Sequence, residues 1–319
     1  MQIEFVQAKL PDAAPVWLAC DPARTDHYSL AVNSGNYNFG QSSLFVRRYF
    51  LGETRPNRVF VDVGANIGTF TLAVATLGVP TLAIEALPDN YVLLSAAVER
   101  NRLSNVQCYH AAISDRSEVL KISGHSAWGH ISANESGIPV PSLTLDQLLQ
   151  NCGWCSAAFI KIDVEGHEFP VLLGAQRLID GVRDLDMLIE VFAGHNKSLE
   201  YLEACGFHLY MLKLQSLIPC TSKDFQEPHV TDYFCTRRTI QSSSFANTPI
   251  LARSADLSAR LLAFEVNNPA ARIRIEIAKR LKEAPPSMLQ HGPVKQLMRK
   301  LTQDPDENVR AAILSWYAG

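Results

Sequence analysis

From residue 58 to about residue 240, short apolar runs alternate with longer segments whose apolar positions recur every three or four residues. Short continuous runs read as strands and a period near 3.6 reads as helix, so their regular alternation predicts parallel strands joined by crossover helices. The strands fall at residues 59–63, 81–85, 106–113, 158–163 and 187–191. Runs at 207–214 and 233–236 complete a seven-stranded sheet whose last two members form an antiparallel hairpin. An α/β domain over residues 56–240 is therefore expected. Ahead of it, residues 1–55 are rich in turn formers, such as Asp21-Pro22 and Asn33-Ser34-Gly35-Asn36, and end in a helix expected over 42–50. They read as a cover segment over the domain's site. Residues 124–141 carry Gly, Ser, Asn and Pro throughout and read as an ordered insert or a loop near the substrate.

Residues 241–250, opening on Gln241-Ser242-Ser243-Ser244, read as a linker, and residues 251–319 as a small all-α domain. Shifting that segment by 36 residues places Pro269 on Pro305, Ile273 on Val309, Arg274 on Arg310 and Ile277 on Ile313. A period in this range marks helical-hairpin arrays, and the segment resembles HEAT-type repeats with two units. Arrays usually need three or more units, so the tail is expected to pack on the sheet domain, on a second copy of the chain as a homodimer, or on a partner protein. Ile273, Ile277, Val309 and Ile313 should face inward, and the paired Arg274 and Arg310 should bond backbone carbonyls between helices.

Candidate chemistry begins where the first strand ends, at Asp62-Val63-Gly64-Ala65-Asn66-Ile67-Gly68. Gly64 and Gly68 stand four apart, whereas a dinucleotide fingerprint needs G-x-G-x-x-G to close on a pyrophosphate. The loop suits a nucleoside cofactor without phosphates, and Glu85, at the end of the next strand, is placed for ribose hydroxyls. S-adenosylmethionine meets both conditions. The other chemical segment is Lys161-Ile162-Asp163-Val164-Glu165-Gly166-His167-Glu168, a strand that turns abruptly acidic. In open parallel sheets the crevice lies at the carboxyl ends of the strands, which directs Asp62, Glu85, Asp163 and Glu190 into one cleft. Glu165 and Glu168 also read as first-turn charges favoured at a helix N-terminus. If the acceptor is a hydroxyl, its proton needs a base, and Asp163, Glu165 and His167 are the candidates. A metal is not expected; were Mg2+ present, Asp163, Glu190 and His195 would be its ligands.

Together with Ala112-Ile113-Ser114-Asp115 and Leu173-Gly174-Ala175, these segments resemble the FkbM family of methyltransferases over roughly residues 58–237. The family pattern has Glu-Pro after the second strand, whereas this chain has Glu85-Ala86-Leu87-Pro88. The resemblance implies a class I methyltransferase fold, Rossmann-like, with S-adenosyl-L-methionine as cofactor. It also implies methyl transfer to oxygen, commonly on a sugar, natural product or carrier-bound small molecule. By the same resemblance Asp62 would bind the cofactor's amino group, Glu85 its ribose and Asp115 its adenine edge, with Gly64, Asn66 and Gly68 lining it.

Composition narrows the field further. Seven cysteines, an odd number, do not form a disulfide framework, and a cytoplasmic location is expected. Cys152-Gly153-Trp154-Cys155 precedes a strand instead of opening a helix, which argues against a redox pair. No run of about 18 apolar residues predicts a membrane span. Residues 1–250 carry a net charge of −7 and residues 251–319 a net +4. An acidic body repels phosphate backbones, so nucleic acid is not the expected acceptor; a small molecule or glycan is what the resemblance implies. A nicotinamide oxidoreductase is disfavoured by the missing fingerprint. A non-catalytic scaffold is disfavoured by Asp62, Glu85 and Asp163 standing together.

Overall fold

The computed structural model describes residues 2–25, 27–35, 37, 39–52, 58–124, 129–131, 137–153, 157, 159–192, 195–213, 215–224, 231–240, 244–251, 274–275, 277–279, 281 and 292–317. In chain order the N-terminal elements are β1 (Glu4–Ala8), β2 (Val16–Cys20), α1 (His27–Asn33) and α2 (Gln41–Gly52). The alternating region follows with β3 (Phe60–Val63), α3 (Thr69–Ala75), β4 (Thr81–Glu85), α4 (Pro88–Arg100) and β5 (Val106–His110). Four strands of an insert come next, β6 (Ala112–Ile113), β7 (Val119–Ser123), β8 (His130–Ile131) and β9 (Ile138–Leu143). Then come α5 (Leu145–Asn151), β10 (Phe159–Ile162), α6 (Glu168–Leu173), α7 (Gln176–Gly181), β11 (Asp186–Val191) and α8 (Lys197–Ala204). The sheet closes with β12 (His208–Lys213), β13 (Ser216–Cys220) and β14 (Thr231–Thr236); β15 (Ser244–Phe245), β16 (Thr248–Pro249), α9 (Gly292–Thr302) and α10 (Glu307–Tyr317) complete the chain.

The main sheet runs β13-β12-β14-β11-β10-β3-β4-β5. Strands β11, β10, β3, β4 and β5 are mutually parallel, and β14, β12 and β13 join by antiparallel pairing. It is thus a large mixed sheet of eight strands, not seven. The additional strand is β13, which returns from β12 through a tight turn at Gln215 and covers what would otherwise be an open edge. The expected strand at 106–113 also divides. Its first part pairs with β4 as far as His110, while Ala112 and Ile113 leave to pair with Ser142 and Leu143 of β9. Residues 124–141 accordingly contribute β8 and most of β9 to a four-stranded second sheet, β6-β9-β7-β8.

Every residue of β3, β4 and β10 is buried, as parallel strands covered on both faces require. Period-two alternation assigns the faces. Val61, Ile160 and Ile189 point to α5–α8, whereas Phe60, Phe159, Leu188 and Phe234 point to α2. Phe45, Tyr49 and Phe50 of α2 meet these rings edge-on, for example Tyr49 on Phe159 with centroids 4.6 Å apart. The hairpin β1–β2 buries Leu10, Val16 and Leu18 against Leu72 of α3 and Leu93 of α4, behind the glycine loop. Helix α5 opens with a reciprocal capping box between Thr144 and Gln147. Thr144→Ala is expected to lower stability by about 1 kcal/mol, read as an earlier midpoint in urea with unchanged slope.

In the tail, Ile277, Val309 and Ile313 are buried in one cluster with Leu281, Leu297 and Leu301; Ile273 and most of the first repeat unit lie outside the described residues. Arg310 Nη1 donates to the carbonyls of Asp304 and Pro305 at 2.6 and 2.9 Å. Arg274 instead forms a two-pronged pair with the Asp304 carboxylate, at 2.7 and 3.0 Å. Among the described residues no helix is long and apolar enough to cross a membrane.

Candidate active site

The strand order reverses between β3 and β10, from which β4–β5 and β11 run in opposite directions, and a ligand crevice is expected at the carboxyl ends there. The glycine loop fills that position. Gly64 has φ +76° and lies so close to β10 that a Cβ would overlap the carbonyl oxygen of Asp163. Asn66 (φ +53°) and Gly68 (φ +94°) complete the turn into α3. The loop is pinned from below by Gly64 N–H and Ala65 N–H, both donating to Ile84 O at 2.9 Å.

Two cavities meet at this loop. The first, about 660 Å3, lies between the ends of β3 and β4 and the inserted sheet. Its apolar walls include Leu87, Ala112, Ile113, Ile122 and Ile131, and its polar groups include Asn66, Glu85, Asn90, His130 and His167. The second, about 820 Å3, lies toward the start of α2 and is lined by Tyr37, Ser42, Ser43, Lys161, Glu190 and Asp232, with Thr69 and Phe70 of α3. Gly64, Asn66, Asp163 and Glu165 line both.

Glu85 is held rigidly, its two oxygens accepting from Asn66 N–H at 2.7 Å and Leu87 N–H at 2.8 Å. Burial pushes its carboxyl up from the usual range against the pull of those two N–H groups. Asn66 Oδ1 is buried with no hydrogen-bond partner, an orphan acceptor on the wall shared by the two cavities. Lys161 Nζ donates to Gly64 O at 2.6 Å and stands 3.2 Å from Asp163 Oδ2 and 3.4 Å from Asp62 Oδ1. Burial alone would lower its pKa, yet Asp163 and Asp62 hold it charged and above the ordinary range. It thus ties the glycine loop to β10.

Carboxyl oxygens of Asp163, Glu165 and Glu190 lie within 4.8 Å of one another. Burial, then the charges of Asp163 and Glu168, push Glu165 up to about 7. Glu190 is raised well above the usual range by burial and by Asp163, and Asp232 is raised to about 6, chiefly by burial. Glu165 also adopts φ +54°, a conformation that costs a non-glycine residue on the order of 1 kcal/mol and is found where a turn must aim a side chain.

Several anticipated residues lie elsewhere. Asp62 is wholly buried beneath the loop, its Oδ2 accepting from Thr71 Oγ1 at 2.6 Å, and lines neither cavity. Gly68 caps α3 against Leu94. Asp115 is exposed and accepts from Ser114 Oγ, which in turn meets His167 Nε2 at 2.9 Å. His167 therefore faces the first cavity only, and burial lowers its pKa, favouring neutral imidazole. His195 packs by Phe192 and the Gly166 turn, so the residue grouped with Asp163 and Glu190 is Glu165 in its place. Lys161, Asp232 and Ser42 had no assigned role in the sequence reading; Ser42 Oγ donates to Asp232 Oδ2.

Residues 62–209 match the methyltransferase FkbM domain. The match covers just under half of the chain, and the sheet around it has a class I methyltransferase-like α/β order. The hexuronic acid methyltransferase AglP of Haloferax volcanii is 27% identical over 151 residues, 47% of this chain and 62% of AglP. The chain thus spans about three-fifths of that relative's length. Among solved structures, precorrin-6y C5,15-methyltransferase from Geobacter metallireducens aligns at 11% identity and a TM-score of 0.39, over 61% of this chain and 87% of that one. The O-methyltransferase from Bacillus cereus in complex with SAH aligns at 14% identity and a TM-score of 0.37, over 61% and 76%.

Proposed function

We infer that this protein transfers a methyl group from S-adenosyl-L-methionine to a hydroxyl of a sugar-like or other small polyhydroxylated acceptor. The observation that carries the reading is the pair of cavities meeting at Gly64, Asn66, Asp163 and Glu165, one with an apolar slot and a ribose-type carboxylate, the other rich in carboxyl and hydroxyl groups. Glu85 has two lone-pair directions left after its N–H partners, enough for a ribose diol, and Asn66 Oδ1 is free to accept. Leu87, Ile113 and Ile122 suit the faces of an adenine ring, with neutral His167 at its rim. When bound, the cofactor supplies an activated methyl group for in-line displacement. The chain's own work is to position the acceptor hydroxyl, exclude water and take the proton. Glu165 is the best-placed base, lining both cavities with a carboxyl poised near neutrality. Asp163, clamped by Lys161, is a positioning group.

Calorimetry should detect binding of S-adenosylmethionine, and incubation with hydroxylated glycosides should release S-adenosylhomocysteine. Glu85→Gln is expected to weaken cofactor binding by about 1.5–3 kcal/mol, on the order of 10- to 100-fold in Kd. Tight binding of NADH without affinity for S-adenosylmethionine would overturn the reading.

A further inference from the structure

We propose that the second cavity selects an acceptor bearing a positively charged amine, such as an amino sugar, and rejects one bearing a carboxylate, such as a uronic acid. This rests on the preceding reading that the cavity receives the acceptor. Its described lining sets four carboxyl groups, Asp163, Glu165, Glu190 and Asp232, against one ammonium, Lys161. That ammonium is already committed to Gly64 O, Asp163 and Asp62.

The placement of Glu190 and Asp232 is the sharper observation. They are direct partners across the antiparallel β11–β14 ladder, one pair from its cleft end. Like charges directly opposite each other destabilise a strand pair. The Asp232 oxygen accepts from the Ser42 hydroxyl, and Lys161 within the lining and Lys213 on β12 act on it at longer range, but neither acid has a direct ion pair with a described cation. Burial first, and the neighbouring acids after it, raise Glu190, Glu165 and Asp232, so the site retains protons where a positive group would otherwise serve.

The cofactor does not account for all four acids. Asp163 and Glu165 line both cavities and are the pair that a molecule spanning them reaches; Glu190 and Asp232 line only the second. A positive group on the acceptor would supply the counter-charge that lets both acids ionise. A divalent cation on Asp163, Glu165 and Glu190 is the competing account. Against it, the Lys161 ammonium stands 3.2 Å from the Asp163 carboxylate and repels a doubly charged ion bound there more strongly than a single ammonium held by Glu190 and Asp232.

The test uses the full chain with S-adenosylhomocysteine added, titrated with the p-nitrophenyl β-D-glycosides of glucosamine, glucose and glucuronic acid. The glucosaminide is expected to bind at least about 10-fold more tightly than the glucuronide, with the glucoside between and the gap narrowing in high salt. Its binding should release protons, seen as a buffer-dependent heat. The double variant Glu190→Gln/Asp232→Asn, which removes the facing charges and should fold at least as well, is expected to reduce the gap to less than about 3-fold. The proposal is overturned if the glucuronide binds as well as the glucosaminide, or if the double variant keeps the full gap. It is equally overturned if the glucuronide binds only with Mg2+, or if none of the three binds at millimolar concentration. S-adenosylhomocysteine binding, measured alone, reports separately on the methyltransferase reading, which fails only if that binding is absent.

Discussion

Gly64→Ala is expected to destabilise the sheet domain by more than about 4 kcal/mol, a large share of the 5–15 kcal/mol that holds a typical domain together. Two costs add. The residue adopts φ +76°, which an L side chain tolerates only at about 1–2 kcal/mol. The new methyl would also overlap the Asp163 carbonyl oxygen, a backbone atom that moves only if β10 separates from β3. Chemical denaturation should show a collapsed midpoint or no folded baseline. Ala65→Gly, one residue on, lacks both conflicts and should cost far less. If Gly64→Ala unfolds at the wild-type midpoint, the close loop-to-strand approach described here is incorrect.

That contact was only half visible in the sequence. The glycine spacing announces a turn, and the acidic end of residues 159–163 announces a cleft, but neither says that the two backbones touch. Much of the site, however, follows from period two alone. Phe60-x-Asp62, Phe159-x-Lys161-x-Asp163, Leu188-x-Glu190 and, reversed, Phe234-x-Asp232 each run from an aromatic or aliphatic residue to an ionisable one on a single face. Helix α2 repeats the gradient, with Ser42 and Ser43 at the wet end and Tyr49 and Phe50 at the dry one. Asp232 escaped because the expected strand starts at Tyr233, two residues after the observed start at Thr231. Asp115 was misplaced for a different reason: pairing of Ile113 with Leu143 in the second sheet leaves Ser114 buried and Asp115 outside. That pairing joins residues 30 apart across a segment whose Gly, Ser, Asn and Pro content reads as an ordered insert or a loop and gives no strand register. The edge strand β13 carries Pro219, a residue that speaks against a strand until it is placed on an edge.

Glu165→Gln is expected to cut the methyl-transfer rate by about 10²- to 10⁴-fold, the usual worth of a positioned general base, while cofactor Kd changes little. The wild-type rate should rise with pH through about 7, where the Glu165 carboxyl loses its proton, and the variant's residual rate should lose that limb. Stability should move in the opposite sense. A carboxyl raised from 4.5 to about 7 by folding contributes stability fully present below pH 4.5 and lost as pH rises through about 7. Replacing it by the neutral amide should therefore leave the protein at least as stable as wild type at pH 8. Low activity together with unimpaired or improved stability separates lost chemistry from a damaged fold. A variant that keeps both its rate and its pH limb would transfer the base to Asp163, whose carboxylate shares the same two cavities but is held by Lys161.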